Sequence, residues 1–299
     1  SDDGLIQLTN NGGGNWMEIG KNLDLSSFEN LTALKSDDNL WVSQVLASQH
    51  KKERVYAALS GYRWDDFTTY LFVSEDQGSS WKDISSNIPD SPVNVIIEDT
   101  ENENLLFMGT DNGLYVSFNR GASWEVFQNG LPNVAIHDLV IQPEAKHLLV
   151  GSHGRSIYKV DISTLQQFTP HLLEKKLHAF KLDNIKHSGR WGGSWSSWRE
   201  PNTPGLDIIF YSSAVDAFEA TIKTSNDIPV STTEIVADKG FNILSYDVAF
   251  SKSGKSAYLK KNKKELKEAK NGKTYLPKGK YYVELKGNGT TEKVEFEIE

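Results

Sequence analysis

The chain has 299 residues, of which 38% are hydrophobic and 24% charged, with 23 Gly, 8 Trp, no Cys and a formal net charge of −8. At about 100–200 residues per domain this length predicts two domains; the apolar content is too high for a disordered chain, and no apolar run nears the roughly 18 residues of a membrane helix. The lack of Cys excludes disulfides, thiolate catalysis and Cys-ligated metal centres, and the acidic balance argues against nucleic acid as the main partner, because phosphate binding needs a concentrated cationic face. The sequence opens on Ser1 and its first Met is Met17, which reads as a processed or excised piece of a longer protein.

In chain order, the first half is organised by one pattern met three times: a hydroxyl, then Asp or Asn two residues on, Gly after two more, and Trp after another three. The copies are Thr9, Asn11, Gly13 and Trp16; Ser74, Asp76, Gly78 and Trp81; and Ser117, Asn119, Gly121 and Trp124. The physics is that of a tight hairpin turn. The hydroxyl and the Asp or Asn side chain bond the turn's own N–H groups, Gly supplies a positive φ, and Trp opens the next strand with its ring between neighbouring sheets. Apolar strands precede each copy (5–8, 70–73, 114–116) and short ones follow it (16–19, 81–84, 124–127). With upstream strands at 41–46, 54–58, 93–97 and 105–108, each repeat becomes four antiparallel strands in about 40–50 residues, the period of a β-propeller blade. Two full blades are expected at 40–86 and 92–128, half a blade at 4–19, and a three-strand piece at 136–141, 148–150 and 156–160. Since a propeller needs about four blades to close, the ring is expected to be incomplete.

Beyond the blades, 163–180 reads as one short helix, with Pro170 suited to a first turn. The Gly/Ser-rich loop 187–201 carries Trp191, Trp195 and Trp198, which would either wedge domains together or form a sugar-stacking platform. From 204 to 299 the strands alternate: 208–211, 218–222, 241–248, and a terminal hairpin in which Tyr281, Val283 and Leu285 face the same way as Val294, Phe296 and Ile298. This predicts an immunoglobulin-like β-sandwich. Between its strands, 257–269 reads as a Lys-rich helix ended by Asn271 and Gly272, with a solvated face or an anionic-surface patch as its two readings. The expected layout is therefore all-β: blades over 1–162, a helix and Trp-rich linker over 163–203, and a sandwich over 204–299.

The eight-residue turn resembles the Asp-box, or BNR repeat, of sialidase-like propellers. The stretch 2–165 more closely resembles the end of bacterial sortilin-like (VPS10-type) propellers, through phrases such as Gly61-Tyr-Arg63-Trp-Asp65-Asp66-Phe67, Gly109-Thr-Asp-Asn-Gly-Leu114, Asn129-Gly-Leu-Pro132 and Gly151-Ser-His153-Gly-Arg155-Ser-Ile157. The resemblance implies the C-terminal part of a large extracellular propeller, secreted or held at the cell envelope, whose missing blades complete the ring. Eukaryotic relatives are sorting receptors that bind peptides in the propeller tunnel. They follow the propeller with a Cys-rich module, which this Cys-free chain cannot contain.

The chemistry is sparse. Asp76 sits in a turn and is expected to accept backbone bonds rather than to catalyse. A sialidase needs three Arg on its substrate carboxylate; of six Arg here, only Arg54, Arg63 and Arg155 are placed to face the ring. The best ligand-binding candidates are the loop with Tyr62, Arg63, Trp64, Asp65 and Asp66 and the turn with His153 and Arg155, both between the second and third strands of a blade and so on one rim. A structural ion pair between Arg155 and Asp65 or Asp66 is the competing reading. On a strand, Asp65 and Asp66 would face opposite sides, so neither is expected to complete a two-carboxylate site alone. Seven scattered His predict no metal, and no phosphate loop or cofactor motif occurs. The expected function is an extracellular module binding peptide, glycan or protein, without catalysis. The alternative is an Asp-box glycoside hydrolase whose carboxylates are shared with absent blades.

Overall fold

A computed structural model describes residues 3–26, 28, 40–127, 130–194, 196, 198–262 and 265–299. Asn129, Trp195 and the sequence-predicted helical positions 263–264 lie outside these. The chain divides into two compact units, Ser1–Pro170 and His171–Glu299.

In the first unit, β1 (Gln7–Leu8) pairs with β2 (Met17–Glu18). A four-stranded meander follows, made of β3 (Trp41–Ala47), β4 (Val55–Gly61), β5 (Asp66–Ser74) and β6 (Lys82–Asp83), all antiparallel in sequence order. The next four strands repeat it: β7 (Val93–Glu98), β8 (Leu106–Thr110), β9 (Gly113–Ser117) and β10 (Glu125–Val126). β11 (Ile136–Gln142), β12 (His147–Ser152) and β13 (Ile157–Asp161) form the three-strand piece. This succession of four-stranded antiparallel sheets is propeller-like. The middle strands β4, β8 and β9 read as continuous apolar runs because both of their faces are covered. β11 instead alternates between buried and exposed residues.

The three turns make the same bonds. Ser74 Oγ accepts from Gly78 N at 2.7 Å, and Asp76 Oδ1 accepts from Ser80 N at 2.8 Å. Ser117 and Asn119 do likewise with Gly121 N and Ser123 N, as do Thr9 and Asn11 with Gly13 N and Asn15 N. Gly78 and Gly121 have φ near +80°, and a Cβ on either would lie within 3 Å of Ile19 or Ile84. That close approach lets each Trp reach back one repeat: Trp81 Nε1 donates to Ile19 O at 3.1 Å, and Trp124 Nε1 to Ile84 O at 2.7 Å. Trp16 departs from the expected packing, since it is 58% exposed.

The expected helix over 163–180 breaks into three elements. α1 (Ser163–Gln166) stops short, a 3-10 turn forms at Pro170–Glu174, and β14 (Leu177–Ala179) is a strand. Pro170 has no N–H to continue a helix and disfavours helical geometry in the residue before it. β14 joins β15 (Leu206–Ser212) and β18 (Gly240–Tyr246) in one sheet. The second sheet runs β17 (Pro229–Ala237), β16 (Asp216–Thr224), β19 (Gly279–Gly287) and β20 (Thr290–Ile298). Both sheets feed one core, with Ile208 and Phe210 from the first meeting Phe218, Ile222 and Val283 from the second. The terminal hairpin pairs Tyr281 with Phe296 and Val283 with Val294 around the Asn288-Gly289 turn.

The Lys-rich helix is also shifted. α2 spans Lys252–Lys261, N-capped by Ser251 Oγ accepting from Gly254 N at 3.0 Å, and 265–269 is not helical. Lys260, Lys261, Lys263 and Lys264 would place like charges three and four apart, which opposes extension.

Candidate ligand-binding rim

The β4–β5 connection begins at Gly61, turns through a 3-10 segment at Tyr62–Trp64 and ends at Asp65, whose φ is +57°. Asp65 therefore lies in a left-handed corner rather than on a strand, exposed, while Asp66 starts β5 and is buried. Asp66 is committed to the fold: Oδ1 accepts from Thr68 N at 3.0 Å and Oδ2 from the Tyr70 hydroxyl at 2.6 Å. Burial, reinforced by that bond, pushes the Tyr70 phenol far above its usual range. A carboxylate held this way anchors the loop.

Beside the exposed carboxylate of Asp65, the loop offers aromatic and cationic groups to solvent. The Arg63 guanidinium sits 4.2 Å from the centre of the Trp41 ring, Tyr62 is 59% exposed, and Phe67 (47%) meets it edge-on at 5.9 Å. Trp64 is half-buried in the same turn. Tyr62 already belongs to the candidate loop, while Trp41 and Phe67 are the functional candidates that motif reading passes over. Their signal is large apolar side chains at the ends of strands where polar residues would suffice.

His153 and Arg155 lie on the β12–β13 connection, both exposed. His153 stands against His137 of β11 with ring centres 5.2 Å apart. The expected ion pair is absent: among the described residues, Arg155 pairs with neither Asp65 nor Asp66, and Asp66 accepts from Thr68 N and the Tyr70 hydroxyl instead. Loops of the β3–β6 and β11–β13 sheets thus carry the candidates, with no contact between the two groups among the described residues. Arg54 also departs from expectation. It is 2% exposed and bonded to Glu75, Glu98 and Glu103 inside the unit, so it cannot reach a ligand. Among the described residues, no group of three or more His, Asp or Glu is placed to hold a metal.

The family profile described as "Sortilin, neurotensin receptor 3" (Sortilin-Vps10) matches residues 69–186. No match was found among curated protein sequences. Among solved structures the chain is similar to YCF48 from Cyanidioschyzon merolae, at 16% identity and a TM-score of 0.38, covering 54% of this chain and 48% of that one. It is similar to a GH74 xyloglucanase from Xanthomonas campestris at 11% identity and a TM-score of 0.40, over 99% of this chain and 41% of the enzyme. An extracellular domain from B. thetaiotaomicron matches at 9% identity and a TM-score of 0.35, over 100% of this chain and 34% of that one. The chain thus spans between about a third and a half of the length of these structures.

Proposed function

We propose that this chain is part of an extracellular recognition protein, and that the rim loop 61–67 binds a peptide segment of a partner protein. The observation that carries this reading is the exposed set Trp41, Arg63, Tyr62 and Phe67, ordered around a carboxylate engaged in structural bonds. Aromatic residues and Arg are the side chains enriched at protein-binding hot spots, since they desolvate large, rigid surfaces at small entropic cost. The sortilin-family match over 69–186 supports the same reading. In it, the three turns are Asp-boxes, other blades cover the exposed face of β11–β13, the second unit is an immunoglobulin-like sandwich, and the protein is secreted or envelope-held.

The test is selection of a displayed peptide library on the immobilised protein. A selected peptide should lose about tenfold or more in affinity to Tyr62→Ala/Phe67→Ala, with unfolding unchanged because both rings are exposed. Selected peptides that bind this variant as tightly as the parent would place recognition elsewhere.

A further inference from the structure

The first unit carries a side-chain pair that recognition by the loop 61–67 leaves unused. The opening strands of three of its sheets share one irregularity. β3, β7 and β11 each bulge by one residue, between Val42 and Gln44, Val93 and Val95, and Ile136 and Asp138, which leaves Ser43, Asn94 and His137 outside the ladder. A bulge re-aims the side chain of its extra residue. In β7 that side chain is bonded: Asn94 Nδ2 donates to Asp111 Oδ1 at 2.8 Å. In β3, Ser43 Oγ donates to Val93 O at 2.6 Å.

The register makes His137 and His153 the counterparts of Asn94 and Asp111. Val93 pairs with Thr110 and Ile136 with Ser152, while Asp111 N donates to Pro92 O at 3.2 Å and His153 N to Ala135 O at 2.8 Å. The third sheet thus holds two imidazoles where the second holds an amide bonded to a carboxylate. Their ring centres are 5.2 Å apart, the planes tilted by 49°, and both side chains are exposed. Neither ring makes a hydrogen bond or ion pair among the described residues. The backbone under the pair is held in place: besides the bond from His153 N, Ser152 donates to Ser156 O through both its amide and its hydroxyl.

Two unbonded imidazoles this close offer nitrogen lone pairs to one shared cation, whereas an anion would require both rings to carry like charges side by side. The spacing fits the first case. On one tetrahedral ion, at the usual Zn–N distance of about 2.0–2.1 Å, two imidazole centres lie about 5 Å apart. The bulge also leaves His137 and Asp138 consecutively exposed, between buried Ile136 and Leu139, so a carboxylate adds negative charge beside the pair. Imidazole nitrogen suits Zn²⁺, Ni²⁺ and Cu²⁺, while Mg²⁺ and Ca²⁺ take oxygen ligands. We infer that His137 and His153 form a two-imidazole binding site for a divalent transition-metal ion, whose remaining coordination positions are open to solvent.

The test is calorimetric titration of the untagged full chain with Zn²⁺ and, separately, with Ca²⁺. Zn²⁺ should bind in a one-to-one ratio with Kd below about 100 µM, and Ca²⁺ should not bind. His137→Gln and His153→Gln should each weaken Zn²⁺ binding by about tenfold or more. Neither should shift the Tm of the metal-free chain, because both side chains are exposed. His171→Gln, at an exposed His elsewhere in the chain, should bind as the parent does. Failure of the folded parent to bind Zn²⁺ would overturn the proposal, as would Zn²⁺ binding indifferent to both substitutions in the pair. Ca²⁺ binding as tight as that of Zn²⁺ would overturn it in favour of a carboxylate site.

Discussion

The sheets β3–β6 and β7–β10 share strand order, turn bonds and the Trp-to-carbonyl link, yet fill one equivalent interior position by opposite means. Val55 pairs with Ser74 and Leu106 pairs with Ser117, so Arg54 is equivalent to Leu105 and Tyr56 to Phe107. All four are buried. In the first sheet Arg54 donates to Glu98 of the neighbouring sheet at 3.2 Å, and Glu98 also accepts from the Tyr56 and Ser48 hydroxyls and from Gln49 N. In the second, Leu105 and Phe107 fill the place, with Phe107 edge-on to Phe127 at 6.1 Å. One fold thus accepts either a fully bonded polar interior or an apolar one, and the two should fail differently.

The largest expected effect is on the polar side. Arg54→Met leaves Glu98 buried without a cation and should cost about 3–5 kcal/mol, read from the urea midpoint at constant m. Replacing the set together, as Arg54→Leu/Tyr56→Phe/Glu98→Leu, should recover most of that loss, because no uncompensated charge remains. On the apolar side Phe107→Ala should cost about 3–5 kcal/mol through the cavity alone, and no second polar change should rescue it. If the triple replacement stays as unstable as Arg54→Met, the two interiors are not interchangeable.

Smaller effects sharpen the comparison of the turns. Trp124→Phe keeps a ring but loses the bond to Ile84 O, and should cost about 1 kcal/mol plus the lost packing; Trp16→Phe should fall within about 0.5 kcal/mol of zero. The smallest effect separates Asp76 from Asn119. Bonds from the Ser80 hydroxyl and amide and from Ser74 hold the Asp76 carboxyl below its usual range. Its contribution is therefore complete above the unfolded-state pKa of about 3.9 and is lost as pH falls through the lower native value. Asn119 makes the same backbone bond and donates from Nδ2 to Ser123 Oγ at 2.8 Å where Asp76 accepts from Ser80 Oγ. Asp76→Asn should thus be tolerated near pH 7 and should flatten the acid limb of stability. An equal acid loss in Asp76→Asn would assign that limb elsewhere, with Glu284 the first candidate, since hydrogen bonding to Lys223, Lys286 and Lys293 draws it down to about 2.

The turns and most strands are legible in the sequence because their determinants are local. The bonds of 74–80 span two to four residues, and burial on both faces leaves an apolar run that any window detects. What escapes is long-range. Arg54 finds Glu98 44 residues on, and nothing beside either residue announces the other. β17 carries a polar stretch at 231–234 because it is an edge strand with few buried positions, so its alternation is interrupted. The helix expected at 163–180 stops at Gln166, before Pro170, and at 177–179 pairing of β14 with β15 overrides local propensity. In the loop 61–67 the sequence does not separate the roles: Asp66 is bonded into the fold, while Tyr62, Phe67 and Trp41 face solvent.

The central proposal is that the loop 61–67 recognises a partner rather than catalysing. Release of reducing ends from a panel of polysaccharides and of phenol from aryl glycosides, comparing the full chain with Asp66→Asn, tests it most directly. The account predicts no turnover by either protein. Turnover by the parent that disappears in a folded Asp66→Asn variant would contradict it.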